Sequence, residues 1–270
     1  MKKERADVMA VRQGLFPTRE KAKRAIMAGL LYDQNSQRID KPGEKILLTS
    51  ELQIKGQPLP YVSRGGLKLV KALEVFSLSV QDKILLDIGS STGGFTDVAL
   101  QNGAKQSYAL DVGYNQLAWK LREDPRVIVM ERTNFRYSKL ADFTHGQPDI
   151  ATIDVSFISL GLIFPALHEI LPAGGDVVAL IKPQFEAGRE AVGKKGIVKN
   201  PKTHLAVIEK VKELALASGF DVLGLDFSPI TGGEGNIEYL IHLKNTAAAA
   251  GRLVMEWAPQ KVVEASHAEL

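Results

Sequence analysis

Residues 85–100, LLDIGSSTGGFTDVAL, combine an apolar run that ends in an acid with a glycine-rich turn. This order is typical of a strand, a loop and a helix that together hold a nucleotide-like cofactor. A phosphate-binding P-loop needs a lysine where Phe95 stands, and a dinucleotide-binding loop needs a glycine where Ser91 stands. S-adenosylmethionine fits better, since it has no phosphate and needs a tight glycine turn, an acid near its amino group and a second acid for its ribose hydroxyls.

The second acid is found at the expected distance. Asp111 ends the run SYALD, about 20 residues after Gly89, where a ribose-binding acid belongs at the tip of the next strand. Without this acid, a plain glycine-rich turn of an α/β protein would be the main alternative. The sequence therefore predicts an S-adenosylmethionine site that includes Asp87, Gly89, Ser90, Gly93, Gly94 and Asp111.

The residues after the predicted fourth strand bear on which atom receives the methyl group. They are Asp154-Val155-Ser156-Phe157, which lacks the Pro-Pro and aromatic pattern of enzymes that methylate exocyclic amines. Methylation of cytosine carbon five needs a cysteine, and the chain has none. A hydroxyl acceptor remains, and a ribose 2′-OH is so weakly acidic that it needs a base and a positive environment.

Two lysines and a second acid are placed to provide that environment. Lys182 ends the apolar run DVVALIKP, at the carboxyl edge of the strand after Asp154, and a lysine whose pKa is lowered can act as a base. Lys68, in SRGGLKL, could supply a second positive charge. Glu238 begins the last strand, which should run antiparallel and so start at the same edge. Each residue alone could be an ordinary surface or strand-end group, but together they are the predicted catalytic set: Lys68, Asp154, Lys182 and Glu238.

The elements that must position these residues follow an α/β rhythm. Apolar runs alternate with helical patterns, and a helix is expected at 202–218. This alternation predicts a mainly parallel, doubly wound seven-stranded sheet with an antiparallel last strand. The predicted strands are near 84–87, 107–111, 127–131, 150–154, 177–181, 220–227 and 237–243.

A smaller α+β domain is expected before this sheet. Two helices are predicted at 4–14 and 18–28, with Thr18 as an N-cap and Gly29 as the stop, and short strands at Leu30–Tyr32 and Ile46–Leu48. The proline- and glycine-rich stretch KGQPLPYVSRGG then predicts a boundary near residue 60. The predicted domains are residues 1–60, residues 61–246 and a C-terminal tail, 247–270, with some helical propensity and no chemical signature.

The first domain carries the positive charge of the chain. The formal net charge is +3, and the excess of Lys and Arg lies within residues 1–60. In the second helix Arg19 and Lys23 form a row beside the apolar face, and such a row meets phosphates. Residues 3–60 resemble the ribosomal-protein-S4-type RNA-binding domain, although an unrelated basic helical hairpin would show the same row. The predicted RNA contacts are Arg5, Arg12, Arg19, Lys21, Lys23, Arg24 and Arg64.

The catalytic set and the glycine loop resemble those of the FtsJ-like ribose methyltransferases, which share a Lys-Asp-Lys-Glu tetrad. With the basic first domain, residues 3–245 resemble the TlyA family. This resemblance implies a Rossmann-like class I methyltransferase fold and 2′-O-methylation of cytidine in ribosomal RNA, with rRNA or ribosomal subunits as partners. It also implies that Asn134, after the third strand, takes the adenine-side place often held by an acid.

Two alternatives remain open. The TlyA family also carries a hemolysin label, which would mean a membrane-lytic protein, and a third possibility is an RNA-binding protein with an inactive methyltransferase fold. The sequence shows no apolar run as long as a membrane span and no signal-peptide pattern in MKKERADVMA. Without cysteines there are no disulfides and no cysteine–zinc sites. We therefore expect a cytoplasmic protein with no membrane span and no metal.

Overall fold

The computed structural model describes residues 3–27, 29–35, 37–39, 41–55, 59–193, 196–232 and 235–270. The chain divides into two compact units, Met1–Gly66 and Leu67–Leu270. The predicted domain boundary near residue 60 stays a prediction. Residues 56–58, which are part of the predicted boundary stretch, lie outside the described residues.

The first unit is a small α+β fold built from short elements. Two antiparallel strand pairs, β1 with β3 and β2 with β4, accompany two helices. Its core includes Met9, Ile26 and Leu31. The elements are β1 (Lys3–Arg5), α1 (Ala6–Arg12), α2 (Arg19–Met27), β2 (Leu31–Asp33), β3 (Lys45–Leu47) and β4 (Leu52–Ile54).

The predicted start of the second helix is confirmed, whereas both predicted ends of the first helix are wrong, since α1 spans only Ala6–Arg12. The Thr18 hydroxyl accepts a hydrogen bond from the Lys21 amide at 3.2 Å, as an N-cap does, and Gly29 has a positive φ of 72°. The predicted final residue of α2, Ala28, lies outside the described residues. The helix predicted from residue 4 begins at Ala6, because Lys3–Arg5 pair with β3 instead. Three-residue strands are too short to show a period of two, so β1 and β4 were missed.

In the second unit the described residues form one seven-stranded sheet, in the order β10-β11-β9-β8-β5-β6-β7. Strands β5 to β9 are mutually parallel, and β11 runs antiparallel to both of its neighbours. The predicted α/β fold of the class I methyltransferase type is confirmed. The strands are β5 (Ile84–Ile88), β6 (Gln106–Leu110), β7 (Val127–Met130), β8 (Ile150–Ile153), β9 (Asp176–Ile181), β10 (Phe220–Phe227) and β11 (Tyr239–Asn245).

Helices cover the sheet and complete its core. The last of them lies in the predicted tail, where Val263 is buried and Ser266 lies 3.2 Å from the Tyr239 hydroxyl. The tail therefore packs as part of the second unit. No helix within the described ranges is long and apolar enough to cross a membrane. The helices are α3 (Gly66–Val75), α4 (Gly94–Gln101), α5 (Trp119–Arg122), α6 (Phe164–Ile170), α7 (Pro183–Glu186), α8 (Pro201–Ala217) and α9 (Pro259–Glu269).

The topology brings the predicted chemistry to one edge of the sheet. Strand β5 lies between β6 and β8, so the strand order reverses direction at its carboxyl end, where ligands bind in such folds. Because β11 is antiparallel, its first residue, Tyr239, pairs with the last residue of β9, Ile181. Glu238 directly precedes β11 and Lys182 directly follows β9, so both lie at this edge.

Candidate active site

The glycine loop between β5 and α4 needs its glycines for two reasons. Gly89 and Gly93 have φ values of 85° and 92°, a region that side chains disfavour. A Cβ on Gly89 would also lie 2.5 Å from the Asp154 carbonyl oxygen. The loop can therefore pass directly over the end of β8, which brings the predicted cofactor site next to Asp154, the predicted catalytic acid. Ser90, in the loop, and Gly94, the first residue of α4, were also predicted for this site, and both are buried.

Asp87, in β5, connects this strand to α4 and β8 through hydrogen bonds on either side of the loop. Its Oδ2 accepts hydrogen bonds from the Thr96 amide at 3.1 Å and the Thr96 hydroxyl at 2.8 Å, and its Oδ1 accepts from the Thr152 hydroxyl at 3.2 Å. Burial raises the pKa of Asp87 to about 7, although the threonine hydrogen bonds oppose the rise. Both oxygens are thus engaged by the protein, and the predicted contact with the cofactor amino group stays a prediction.

Asp111 is braced by the backbone around it. Its Oδ2 accepts from the Ser91 amide at 2.8 Å, and its Oδ1 accepts from the Gly113 amide at 2.6 Å. The carboxylate is half-buried, and each of its oxygens has lone pairs left for a further donor. A pair of ribose hydroxyls suits such a carboxylate, and the residues present therefore fit S-adenosylmethionine.

Two residues near Asp111 bear on the predicted adenine side of the site. Val112, directly after Asp111, has 70% of its surface exposed and was not among the predicted site residues. Asn134 follows β7, and its Oδ1 accepts from the Arg136 amide at 3.2 Å, which caps the turn at Phe135–Tyr137. Its proposed contact with adenine stays a prediction.

We expect Asp111→Ala to weaken cofactor binding by roughly tenfold or more, because hydrogen bonds to a charged group contribute about 1.5 to 3 kcal/mol each. The affinity of the chain for RNA should stay unchanged. Calorimetric titration with S-adenosylmethionine measures the effect, and Asp124→Ala provides a matched control, because that aspartate pairs with Arg126 beyond the loop. An unchanged cofactor affinity in Asp111→Ala would remove this residue from the site.

The four predicted catalytic residues meet in one line of alternating charge. Lys182 Nζ lies 2.5 Å from Asp154 Oδ1, Lys68 Nζ lies 3.5 Å from Asp154 Oδ2, and Lys68 Nζ lies 2.6 Å from Glu238 Oε2. Lys68, Lys182 and Glu238 are buried. We call this set the ion chain. The structure thus brings together residues that are far apart in the sequence, from helix α3 and the ends of three strands.

The charges of the ion chain stabilise one another. Burial alone would lower the pKa of Lys68, but Asp154 and Glu238 outweigh it and raise the pKa. Burial alone would raise the pKa of Asp154, but Lys68 and Lys182 lower it. Buried charges are costly unless paired, so such a group at the cofactor edge of a sheet is a candidate for function.

Lys182 lies at the end of the ion chain. Its Nζ contacts Asp154 and also donates to the Ser156 hydroxyl at 3.4 Å. An ammonium group has three N–H bonds, so these two acceptors leave one donor for a substrate oxygen. Glu238 is held in turn by Gln184, whose Nε2 lies 3.4 Å from Oε1. Ser156 and Gln184 were not predicted, because only the folded chain brings them to the tetrad.

An aromatic surface adjoins the ion chain. Phe157 has 90% of its surface exposed and a φ of 64°, a strained conformation for a bulky residue. Its ring centroid lies 4.8 Å from that of Phe185, and Lys182 Nζ lies 5.9 Å from the centre of the Phe185 ring. The sequence shows only a phenylalanine after Asp-Val-Ser, and the strain and exposure that single it out appear in the structure alone.

In the first unit most of the predicted RNA contacts have acidic partners. Asp7, buried at the start of α1, accepts from Arg5 Nε at 2.9 Å and from Arg19 Nη2 at 3.0 Å. Burial alone would raise the pKa of Asp7, but the two arginines lower it to about 2. Arg12 pairs with Glu4 at 2.7 Å.

The rest of this basic surface is only partly paired. Lys23 lies 3.7 Å from Glu20, while Lys21 and Arg24 are exposed on α2 and Arg64 is half-buried. The acidic partners of Arg19 and Lys23 reduce the positive potential of the predicted row. Contact of any of these residues with RNA stays a prediction.

Comparison with known proteins identifies relatives of the whole chain. A family model described as FtsJ-like methyltransferase matches residues 61–245. A Bacillus subtilis (strain 168) protein provisionally named rRNA methyltransferase YqxC is 63% identical over 270 residues, which cover 100% of this chain and 96% of that protein. The 16S/23S rRNA (cytidine-2′-O)-methyltransferase TlyA of Mycobacterium tuberculosis (strain CDC 1551 / Oshkosh) is 40% identical over 244 residues, 90% of each protein.

A solved structure agrees with the fold. A Streptococcus thermophilus protein provisionally named a hemolysin matches with a TM-score of 0.80 and 60% identity, covering 100% of this chain and 97% of that one. No group of three or more His, Cys, Asp or Glu that could hold a metal ion occurs in the part of the chain that the structure describes.

Proposed function

Because this chain belongs to the FtsJ-like methyltransferase family, we propose that it transfers a methyl group from S-adenosylmethionine to the ribose 2′-OH of cytidine in ribosomal RNA. The observation that carries the proposal is the ion chain, in which Lys182 lies 2.5 Å from Asp154 beside the glycine loop. A 2′-OH acceptor needs a base or a positive charge at the reacting oxygen, and Lys182 is the group placed to supply either.

The residues of the ion chain have separate tasks in this proposal. When bound, S-adenosylmethionine supplies an electrophilic methyl group. Lys182 either accepts the 2′-OH proton as a neutral amine or stabilises the developing negative charge on the oxygen as an ammonium. Asp154 holds Lys182 in place through their ion pair and also pairs with Lys68. Lys68 is held in turn by Glu238, whose Oε2 lies 2.6 Å from Lys68 Nζ. As the bond between the 2′-oxygen and the methyl carbon forms, the sulfur–methyl bond of the donor would break and S-adenosylhomocysteine would leave with the electron pair of that bond. The 2′-OH proton would pass to Lys182 or to water.

The cytidine and rRNA parts of the proposal rest on the named activity of the Mycobacterium tuberculosis relative. The exposed ring of Phe157, beside Phe185, supports a nucleic acid substrate, since an aromatic surface next to the reacting group can stack a base. Such an enzyme works where ribosomal RNA or ribosomal subunits are found, and we therefore infer that its activity is cytoplasmic.

The test of this function is methyl transfer from radiolabelled S-adenosylmethionine to rRNA or ribosomal subunits from a strain that lacks the gene. We expect label in the rRNA with the wild-type chain and very little with Lys182→Ala. The same preparations should be assayed for lysis of red blood cells. Lysis without methyl transfer would favour the hemolysin name of one relative, and RNA binding without transfer would mean an inactive methyltransferase fold.

Changing Arg19 and Lys23 together to Gln should weaken rRNA binding and lower the slope of its salt dependence by about one unit for each phosphate that the variant no longer binds. Binding of S-adenosylmethionine should be unchanged, since both residues lie in the first unit. Titrations at several salt concentrations measure the slope. A double change of Lys202 and Lys261 to Gln removes the same charge from exposed positions of the second unit and should have little effect. If both double variants show the same slope as the wild type, α2 does not contact RNA.

A further inference from the structure

Glu186, the last residue of α7, is a buried carboxylate outside the ion chain. Only 6% of its surface is exposed. Its Oε1 accepts from the Leu160 amide at 2.7 Å, and its Oε2 accepts from the Ser159 hydroxyl at 2.8 Å and from Lys210 Nζ at 3.2 Å. A carboxylate so buried is stable only when donors surround it, and here three donors do so.

Lys210, on α8, reinforces this contact. Its Nζ donates to the Glu186 carbonyl oxygen at 2.8 Å as well as to the side chain. The lysine thus balances the charge of the carboxylate and fixes the end of α7. Glu186, Lys210, Ser159 and Leu160 form a group that we call the clamp.

The clamp joins the two segments that carry the proposed reaction. Ser159 and Leu160 end the turn that begins at Asp154, and this turn holds Phe157 in its strained conformation. Glu186 ends the segment that begins at Lys182 and includes Phe185. The two segments touch at the rings of Phe157 and Phe185, with centroids 4.8 Å apart, at the Lys182–Asp154 ion pair and at the Lys182–Ser156 hydrogen bond. The clamp is a further contact between them, at the end of each segment opposite to its ion-chain residue.

We propose that Glu186 is a positioning residue that sets the Phe157 turn against the Lys182 segment, so that the base-stacking surface and the reacting group keep one geometry. This inference rests on the proposed function for its effect on methyl transfer, but the position of the turn is a property of the chain alone. Strained turns persist only where the surrounding structure holds them. Within the clamp, the Glu186 carboxylate accepts two hydrogen bonds from residues that follow Phe157, one from Ser159 and one from Leu160.

The test uses Glu186→Gln, which keeps the side-chain size. The amide oxygen can still accept from Leu160, but the NH2 group cannot accept from Ser159 or Lys210. We expect kcat/KM for rRNA to fall roughly tenfold, the scale of one hydrogen bond to a charged group, while the affinity for S-adenosylmethionine stays within twofold. Glu209→Gln is the matched control, since Glu209 also accepts from a lysine, Lys212, and from the Trp257 indole, but does not touch the turn.

A double-mutant cycle separates positioning from general stability. If Glu186 acts through the turn, Glu186→Gln should add little to the loss already caused by Phe157→Ala, whereas independent effects would add. Additive losses, or an unchanged kcat/KM in Glu186→Gln, would overturn the proposal.

Hydrogen exchange tests the clamp without any activity. The Leu160 amide should exchange roughly tenfold faster in Glu186→Ala, which removes its acceptor, while the amides of β8 keep the wild-type rate. Unchanged exchange at Leu160 would overturn the clamp even if the enzyme is active. Faster exchange in a chain that transfers no methyl group would instead mean that the clamp exists and the proposed function fails.

Discussion

Lys182→Ala should lower the rate of methyl transfer by about 10²- to 10⁴-fold, the usual contribution of one acid–base group. The reason is that Lys182 ends the ion chain and has an N–H bond beyond those to Asp154 and Ser156. Single-turnover rates with saturating rRNA measure the chemical step, and the affinities for RNA and S-adenosylmethionine should change little. Lys71→Ala is the control, since Lys71 also pairs with a carboxylate, Asp226, outside the ion chain.

Lys182→Arg separates the two tasks that the lysine could have. A guanidinium keeps its proton at any working pH, so the arginine variant should lose nearly as much rate as alanine if Lys182 accepts the proton. If the arginine variant keeps most of the rate, Lys182 acts only as a fixed charge. Lys68 would then be the first other candidate from the sequence, but its pKa is raised by Asp154 and Glu238, which opposes the loss of its proton.

Asp154→Asn should reduce both the rate of methyl transfer and the stability of the second unit. The carboxylate pairs with two lysines, and a neutral amide would leave the buried Lys182 without its ion pair and Lys68 with Glu238 alone. Breaking a buried pair costs about 3 to 5 kcal/mol of unfolding free energy. A small displacement of Lys182 is enough to lower the rate by about 10²-fold. Urea unfolding and single-turnover rates measure the two effects.

The stability loss in Asp154→Asn should also depend on pH. Because Lys68 and Lys182 lower the pKa of Asp154, its charge stabilises the folded state fully above about pH 4, the unfolded pKa, and this stabilisation is lost as the pH falls toward the lowered folded pKa. The difference between the wild type and the variant should therefore shrink in acid. Asp226→Asn, at a more exposed pair, is the control and should cost much less. A rate within threefold of the wild type would contradict the role given to Asp154.

The sequence could predict three members of the ion chain, Asp154, Lys182 and Glu238, because the strand topology alone determines which strand ends are neighbours. Once five parallel strands and an antiparallel last strand are inferred, the residue after β9 and the residue before β11 must lie at one edge. The same reasoning places Asp111 and Asp154 there. No side-chain detail is needed for these four positions, which is why apolar runs and their flanking residues were sufficient.

Contacts that depend on side-chain direction could not be predicted in this way. The pairing of Arg5 and Arg19 with Asp7 joins a strand end to a second helix, and no periodicity in the sequence indicates it. Glu186 looks like an ordinary helix-end acid until the turn at Ser159 is folded against it. Phe157 is identified by its exposure and its backbone strain, and both are properties of the folded chain.

The most direct test of the central claim is mass spectrometry of nucleosides from rRNA that has been incubated with the chain and S-adenosylmethionine. The rRNA comes from a strain that lacks the gene, and the comparison is between the wild type and Lys182→Ala. If the ion chain methylates ribose, the wild type should produce 2′-O-methylcytidine and the variant only a trace, with cofactor binding intact in both. A methyl group on a base, or equal amounts of 2′-O-methylcytidine from both proteins, would contradict the account.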